Sequence, residues 1–157
     1  MDDVALMTYT SGTTGMPKGA MLSYRNALFK CAAAAHCGGL RGDDVLLAIA
    51  PLYHIAGKVM GVDVPIYAGA TSVLLYRFDP VAALQAIERY RVTWWYSIAP
   101  MNVAMMQVPG AEGYDLSSLV MNPVTSFGIT FTEQLAAQWR KNAVNSQSFE
   151  SSYGLSE

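Results

Sequence analysis

Thr8–Gly19 reads TYTSGTTGMPKG. These twelve residues hold three glycines, five hydroxyls besides the tyrosine, one proline and one lysine. An ordinary polar turn needs only one or two such residues. Glycines let backbone N–H groups approach an anion closely. Thr10, Ser11, Thr13 and Thr14 add hydroxyl donors, Lys18 adds a positive charge, and Pro17 stiffens the segment before it. The stretch therefore has the chemistry of a phosphate cradle. Its spacing excludes two familiar ones. Counted from Gly12, the sixth place of a Walker loop falls on Pro17, and Gly19 rather than Ser or Thr follows Lys18. Gly12, Gly15 and Gly19 are also wrongly spaced for the dinucleotide pattern G-x-G-x-x-G.

The flanks of the loop set the fold class. Val4–Thr10 reads as a short buried strand that runs into it. Ser23 is a cap for a helix over Tyr24–His36, which Gly38 and Gly39 end. DDVLLAIAP (43–51), TSVLLY (71–76), VTWWYSIAP (92–100) and PVTSFG (123–128) read as further strands. Between them, a helix is expected through Gly57–Tyr67. Another starts at Asp79-Pro80, a carboxylate cap with proline in the first turn. It carries Leu84, Ile87 and Arg91 on one side, beside Ala83 and Tyr90. A last helix runs from Thr132 to about Asn142, with Arg140 and Lys141 in its final turn. Strands alternating with helices predict an α/β fold: a mostly parallel sheet with helices on both faces. Ligands gather at the carboxyl ends of such strands, where the glycine loop is expected.

Composition narrows the function. Apolar residues make up 52% of the 157 and charged residues 14%, against about a quarter charged in ordinary globular chains. The excess apolar surface calls for packing against more protein, or for self-association. A net charge of −2 without a basic block argues against a nucleic-acid partner. Cys31 and Cys37, with only His36 nearby, lack metal-ligand spacing and read as free thiols of a reducing compartment. The start, MDDVAL, is acidic where a signal peptide is basic, which points to the cytoplasm or to a peripheral place at a membrane. Val92–Ala111 carries no charge, but Pro100, Asn102, Gln107 and Pro109 break it into strand, loop and short helix, so no transmembrane segment is expected.

Ordered motifs carry a resemblance. YTSGTTGMPKGAMLSYRN (9–26) resembles the phosphate-binding signature of the adenylate-forming, or AMP-binding, superfamily. That group includes acyl-CoA synthetases, amino-acid adenylation domains and firefly luciferase. PLYHIAG (51–57) resembles its proline–aromatic–histidine segment beside the acyl site, and SSYGLSE (151–157) its Y-G-x-[ST]-E segment. YDLSSL (114–119) resembles a segment leading to a small-residue turn near the adenine.

The resemblance implies that Thr10, Ser11, Gly12, Thr13, Thr14, Gly15 and Lys18 hold the phosphates of ATP. Thr10 and Glu157 would take Mg²⁺. Tyr153 would lie on the adenine, Gly154 would leave room for the nucleotide, and Ser156 keeps a hydroxyl where threonine is usual. Gly128, in TSFGIT (125–130), falls near the adenine turn, although Phe127 departs from the family's glycine–alanine run. Lys18, His54 and Glu157 are the expected catalytic residues, with His54 near the substrate carboxylate. His36 lacks such a context and reads as a helix histidine. Trp94, Trp95 and Tyr96 read as core, with one able to line a substrate pocket; Met101, Met105 and Met106 also read as core.

The implied chemistry is ATP-dependent activation of a carboxylic acid through an acyl-adenylate to an acyl-CoA, with coenzyme A as co-substrate. GVDVPIYAGATSVLLYRFDP (61–80) and YRVTWWYSIAPM (90–101) look most like fatty-acyl-CoA synthetases, so a medium- or long-chain fatty acid is the expected substrate. Residues 1–157 are expected to form one partial AMP-binding domain, a fragment of the family's large N-terminal domain without the C-terminal one. Alone, it is expected to be inactive. The alternatives are a non-catalytic nucleotide-binding fragment that needs a partner, and an adenylation domain for amino or aryl acids.

Overall fold

A computed structural model describes residues 1–10 and 15–151. The chain opens with a hairpin, β1 (Val4–Thr10) and β2 (Lys18–Ser23), paired antiparallel from Val4↔Ser23 to Thr10↔Lys18. Helix α1 (Tyr24–Cys37) follows without a break. Strand β3 (Val45–Ala48) leads to α2 (Ile55–Lys58), which continues through a π-helical turn at Val59–Asp63 into α3 (Val64–Ala68). Then come β4 (Thr71–Leu74), α4 (Pro80–Tyr90), β5 (Trp94–Trp95), β6 (Ser97–Ile98) and α5 (Ala99–Met106). The described chain closes with β7 (Met121–Thr125), α6 (Glu133–Trp139) and β8 (Gln147–Glu150).

Strands β3 to β8 form one six-stranded sheet in which every pairing is parallel, in the order β4-β3-β5-β7. β5 and β6 are one strand interrupted at Tyr96, since Trp94 pairs with Met121 and Ser97 with Val124 in unbroken register. β8 runs beside β7 as well. Successive side chains of a strand face opposite sides, and the core follows this rule. Leu47, Ile49 and Trp95 pack with Leu84, Ile87, Met105 and Trp139 in the main core. On the other face, Gly61 sits against Ala48 and Gly38 against Trp94, while Cys31, Ala35, Val59 and Val64 join α1 to the 55–68 helix. Both faces are thus covered, as the alternation of elements predicts.

Local signals explain the helix starts. Ser23 accepts from Asn26 N at 3.2 Å and the Asn26 side chain accepts from Ser23 N at 3.0 Å, a reciprocal box. Asp79 and Thr132 accept from the third residue onward in the same manner. The π turn has a cause in Pro65. Proline has no N–H to return to the Gly61 carbonyl. The Ser72 hydroxyl donates to that carbonyl instead, at 2.6 Å.

Several expectations need correction. β1 is neither buried nor part of the parallel sheet; among the described residues it pairs only with β2. KGAMLS lies within hairpin reach, so β1 finds its partner locally, and Met7 and Tyr9 are exposed. The strand before the glycine-rich stretch therefore belongs to an antiparallel pair and not to the parallel sheet. Arg91 is not on the buried side of α4: it ends that helix in the left-handed region, φ 53°, held by Asp115 at 2.6 Å. Tyr90 is exposed, with the Arg89 guanidinium over its ring at 5.3 Å. Finally, α6 stops at Trp139, leaving Arg140 as its cap and Lys141 beyond it.

Candidate active site

Because the sheet is parallel, the segments after β3, β7 and β8 all leave from the same edge, where such folds place ligands. The segment after β3 carries Pro51–Gly57. His54 Nδ1 accepts from Ala56 N at 3.1 Å and so caps α2. With Nδ1 accepting, the proton of the neutral ring lies on Nε2. His54 N donates to Pro51 O at 2.9 Å, which closes the turn before the helix. Gly57 makes this packing possible. A Cβ there would lie 2.1 Å from Pro51 O and 2.6 Å from Ala50 O.

Across from this turn lies β1. A groove of about 440 Å³ is lined by Leu6, Thr8 and Tyr9 on one side and Leu52, His54 and Lys58 on the other. Thr8 Oγ1 is buried without a hydrogen-bond partner among the described residues. Lys58 Nζ lies 2.7 Å from both Asp63 carboxylate oxygens, so its charge is already paired. Behind this pair, burial and then the Asp63 carboxylate push the Cys31 thiol up, against a smaller opposing pull from Lys58. Cys31 is thus a buried thiol whose surroundings disfavour the thiolate, and Cys37 is exposed and free.

The structure brings β1 and His54 together, but it moves Lys18 out of the loop and into a strand. Lys18 is the first residue of β2 and is exposed. Thr10 faces it across the hairpin, with the Thr10 hydroxyl 3.5 Å from Lys18 O. The pair closes the neck of the loop. Gly15 is exposed on that loop. Ser11, Gly12, Thr13 and Thr14 lie outside the described residues, as do Tyr153, Gly154, Ser156 and Glu157. Gly128 lies after β7 at φ 70°, between Phe127 and Ile129, which form an isolated bridge. Only glycine takes that conformation without strain.

Trp94 and Trp95 are buried as expected. Tyr96 differs from them: it lies beside Ala56, Gly57, Met60 and Gly61, and its hydroxyl is 2.9 Å from Thr125 Oγ1. It thus lines a cavity with residues of the 55–68 helix and reaches the end of β7. Met105 is buried, and Met101 and Met106 pack against the core. The sequence named Tyr96 as core or as a pocket lining and gave Thr8 no role of its own, and Glu150 went unmarked. Glu150 ends β8, three residues before Tyr153 in sequence, and no local sequence pattern marks that strand. Among the described residues no group of three or more His, Cys, Asp or Glu is placed to hold a metal, and no helix is long and apolar enough to cross a membrane.

A family model described as AMP-binding enzyme matches residues 1–157. Feruloyl-CoA synthase of an Amycolatopsis species is 35% identical over 157 residues, covering all of this chain and 31% of that protein. 4-Coumarate–CoA ligase 2 of Nicotiana tabacum is 32% identical over 162 residues, covering 99% of this chain and 29% of that protein. The solved O-succinylbenzoate coenzyme A synthetase of Bacillus subtilis, in complex with AMP, superposes with a TM-score of 0.81 at 29% identity. That match covers all of this chain and 38% of the other. The chain spans less than two fifths of the length of each of these proteins.

Proposed function

This chain belongs to the AMP-binding enzyme family, and from that premise we propose that it acts as part of a larger ATP-dependent acid–thiol ligase. Residues 1–157 would be one portion of the family's N-terminal domain, completed by further chain. In the first step a substrate carboxylate oxygen attacks the α-phosphorus of ATP. The bond from that phosphorus to the bridging oxygen breaks, pyrophosphate leaves, and an acyl-adenylate forms. In the second, the thiol of coenzyme A attacks the acyl carbon and AMP leaves with the bonding electrons, while the thiol proton passes to solvent.

Two anions must meet in the first step, so the site has to offset charge and fix geometry. The loop N–H groups, the hydroxyls of Thr10, Ser11, Thr13 and Thr14, and Lys18 are suited to cradle the phosphates. Gly128, Tyr153, Gly154 and Ser156 are suited to the nucleoside side. Thr10 and Glu157 offer the hard oxygen donors that Mg²⁺ takes, and the ion would supply charge neutralisation on the phosphates. His54, with Nδ1 spent on the helix cap, keeps Nε2–H to orient the substrate carboxylate.

The observation that carries this reading is the groove shared by β1 and His54. The strand that feeds the phosphate loop and the histidine of PLYHIAG line the same cleft. Its volume is within the usual range for small-molecule sites, about 300–1,000 Å³, and Leu6, Met7, Tyr9, Leu52 and Tyr53 give it apolar walls. Such walls suit the medium- or long-chain fatty acid expected from the sequence. A second reading, an aryl acid, is favoured by the acids in the names of the feruloyl and coumarate relatives. Pyrophosphate exchange by the full-length enzyme across fatty, aryl and amino acids tests both. Exchange with fatty or aryl acids supports the ligase; exchange with amino acids alone overturns the choice of acid, and none with any acid overturns the ligase.

A further inference from the structure

We propose that Glu150 is a positioning residue: through Ser126 it shapes the Gly128 turn into a seat for the purine of ATP. This deepens the ligase reading above and rests on it. Glu150 is the last residue of β8, and its carboxylate accepts from Ser126 N at 3.0 Å. The Ser126 hydroxyl also donates to Glu150 Oε2. Ser126 Oγ in turn accepts from Phe131 N at 2.8 Å. One carboxylate thus ties both donors of Ser126, and Ser126 ties the far end of the turn. The segment 126–131 is drawn into a closed loop whose crest, Gly128, sits at φ 70°.

Three further observations give the clasp its purpose. First, β8 and β7 run parallel with Val124 opposite Glu150, and Ser151 N donates to Val124 O at 2.8 Å. The Gly128 turn and Ser151 therefore follow neighbouring, parallel strands. Second, Phe127 and Ile129 flank the glycine and are 69% and 41% exposed, so the crest offers flat apolar surface to a heterocycle. Third, Glu150 forms no ion pair among the described residues; its bonds all go to the turn. Hydrogen bonds to a charged group are about twice as strong as neutral ones, which suits a clasp that is exposed to solvent. A negative charge at this place also disfavours phosphate there. It leaves the neutral base on the β7 side and directs the polyphosphate toward the hairpin loop with Lys18.

The test uses the full-length enzyme and its variants Glu150→Ala, Glu150→Gln and Ser126→Ala. Glutamine can still accept from Ser126 N and donate to Ser126 Oγ, so it preserves the turn. Loss of the charged bond is expected to raise the KM for ATP about tenfold in Glu150→Ala, with the KM for the acid and kcat within about twofold. Glu150→Gln should return the ATP KM to within about threefold of the parent. The double variant Glu150→Ala/Ser126→Ala should be no weaker for ATP than the worse single, because both act through one clasp. Calorimetric titration with AMP should show the same order without any turnover. Should Glu150→Ala fail to fold, Glu150→Gln and Ser126→Ala read the same coupling. Equal rises in both KM values, an unchanged ATP KM in Glu150→Ala, or additive singles would each overturn the inference. A parent protein that binds AMP but exchanges no pyrophosphate overturns the ligase reading and leaves the AMP titration to decide this one. A parent that binds no AMP overturns both.

Discussion

Replacing Gly57 by alanine is expected to unlock the His54 turn. The added Cβ would stand 2.1 Å from Pro51 O, 2.6 Å from Ala50 O and 2.7 Å from Pro51 C. All three are backbone atoms, so no side chain can swing away. Relief requires about 1 Å of movement in the Ala50–Pro51 backbone or in the start of α2. Either movement strains the bond from His54 N to Pro51 O, now 2.9 Å, and the cap from Ala56 N to His54 Nδ1, now 3.1 Å. Overpacking costs about 1–3 kcal/mol and a weakened hydrogen bond about 1 kcal/mol more. The sum is about 2–4 kcal/mol, or a fall of roughly 5–15 °C in Tm for a folding unit of 157 residues. Gly113 is the control: a Cβ there meets nothing within 4 Å, and its φ is not left-handed. Gly113→Ala should change Tm by no more than about 3 °C in either direction. Thermal and urea unfolding of both variants checks the difference. If Gly57→Ala matched Gly113→Ala, the turn would be soft, and the structural reason given for the glycine in PLYHIAG would be wrong.

Other outcomes follow from the same structure. Ser72→Ala removes the donor to the Gly61 carbonyl that Pro65 cannot serve, and should cost about 1–2 kcal/mol in urea unfolding, whereas Ser72→Thr should recover most of it. Lys18→Ala in the full-length enzyme should lower the adenylation rate at least about tenfold, as removal of a charge-stabilising donor does, while the thermal midpoint stays put because Lys18 is exposed. Unchanged adenylation would remove Lys18 from the phosphate site. The Ser117 side chain and N–H, followed by Arg91, hold the Asp115 carboxyl down to about 2 from 3.8. A lowered folded-state value favours the fold above the unfolded pKa and is lost as pH falls through the folded one. Stability should therefore decline from near pH 4 toward pH 2, and Asp115→Asn should flatten that limb in pH-dependent unfolding.

Much of the fold was legible because its signals are local. Ser23, Asp79 and Thr132 cap helices with donors only three residues away, and proline after Asp79 reinforces the start. The alternation of strand and helix gave the parallel sheet. Pairing of β1 was not legible. VALMTYT reads as buried because it is apolar, but its partner is decided by the competing nearby strand Lys18–Ser23. β8 escaped notice because Gln147–Glu150 holds a single apolar residue, Phe149, and only its pairing with β7 marks it. The site divides in the same way. Glycines, hydroxyls and His54 stand out as motifs in sequence. The Glu150 clasp does not, because Glu150 and Ser126 are 24 residues apart and meet only once β7 and β8 pair.

The central claim is that a carboxylate attacks the α-phosphorus of ATP in a site built on this chain. It is tested most directly by giving the full-length enzyme its acid labelled with ¹⁸O in both carboxylate oxygens, together with ATP and coenzyme A. Mass spectrometry of the products then follows the oxygen. The expected product is AMP carrying one labelled oxygen from the acid, with unlabelled pyrophosphate. Unlabelled AMP, or label in inorganic phosphate with ADP as co-product, would contradict it.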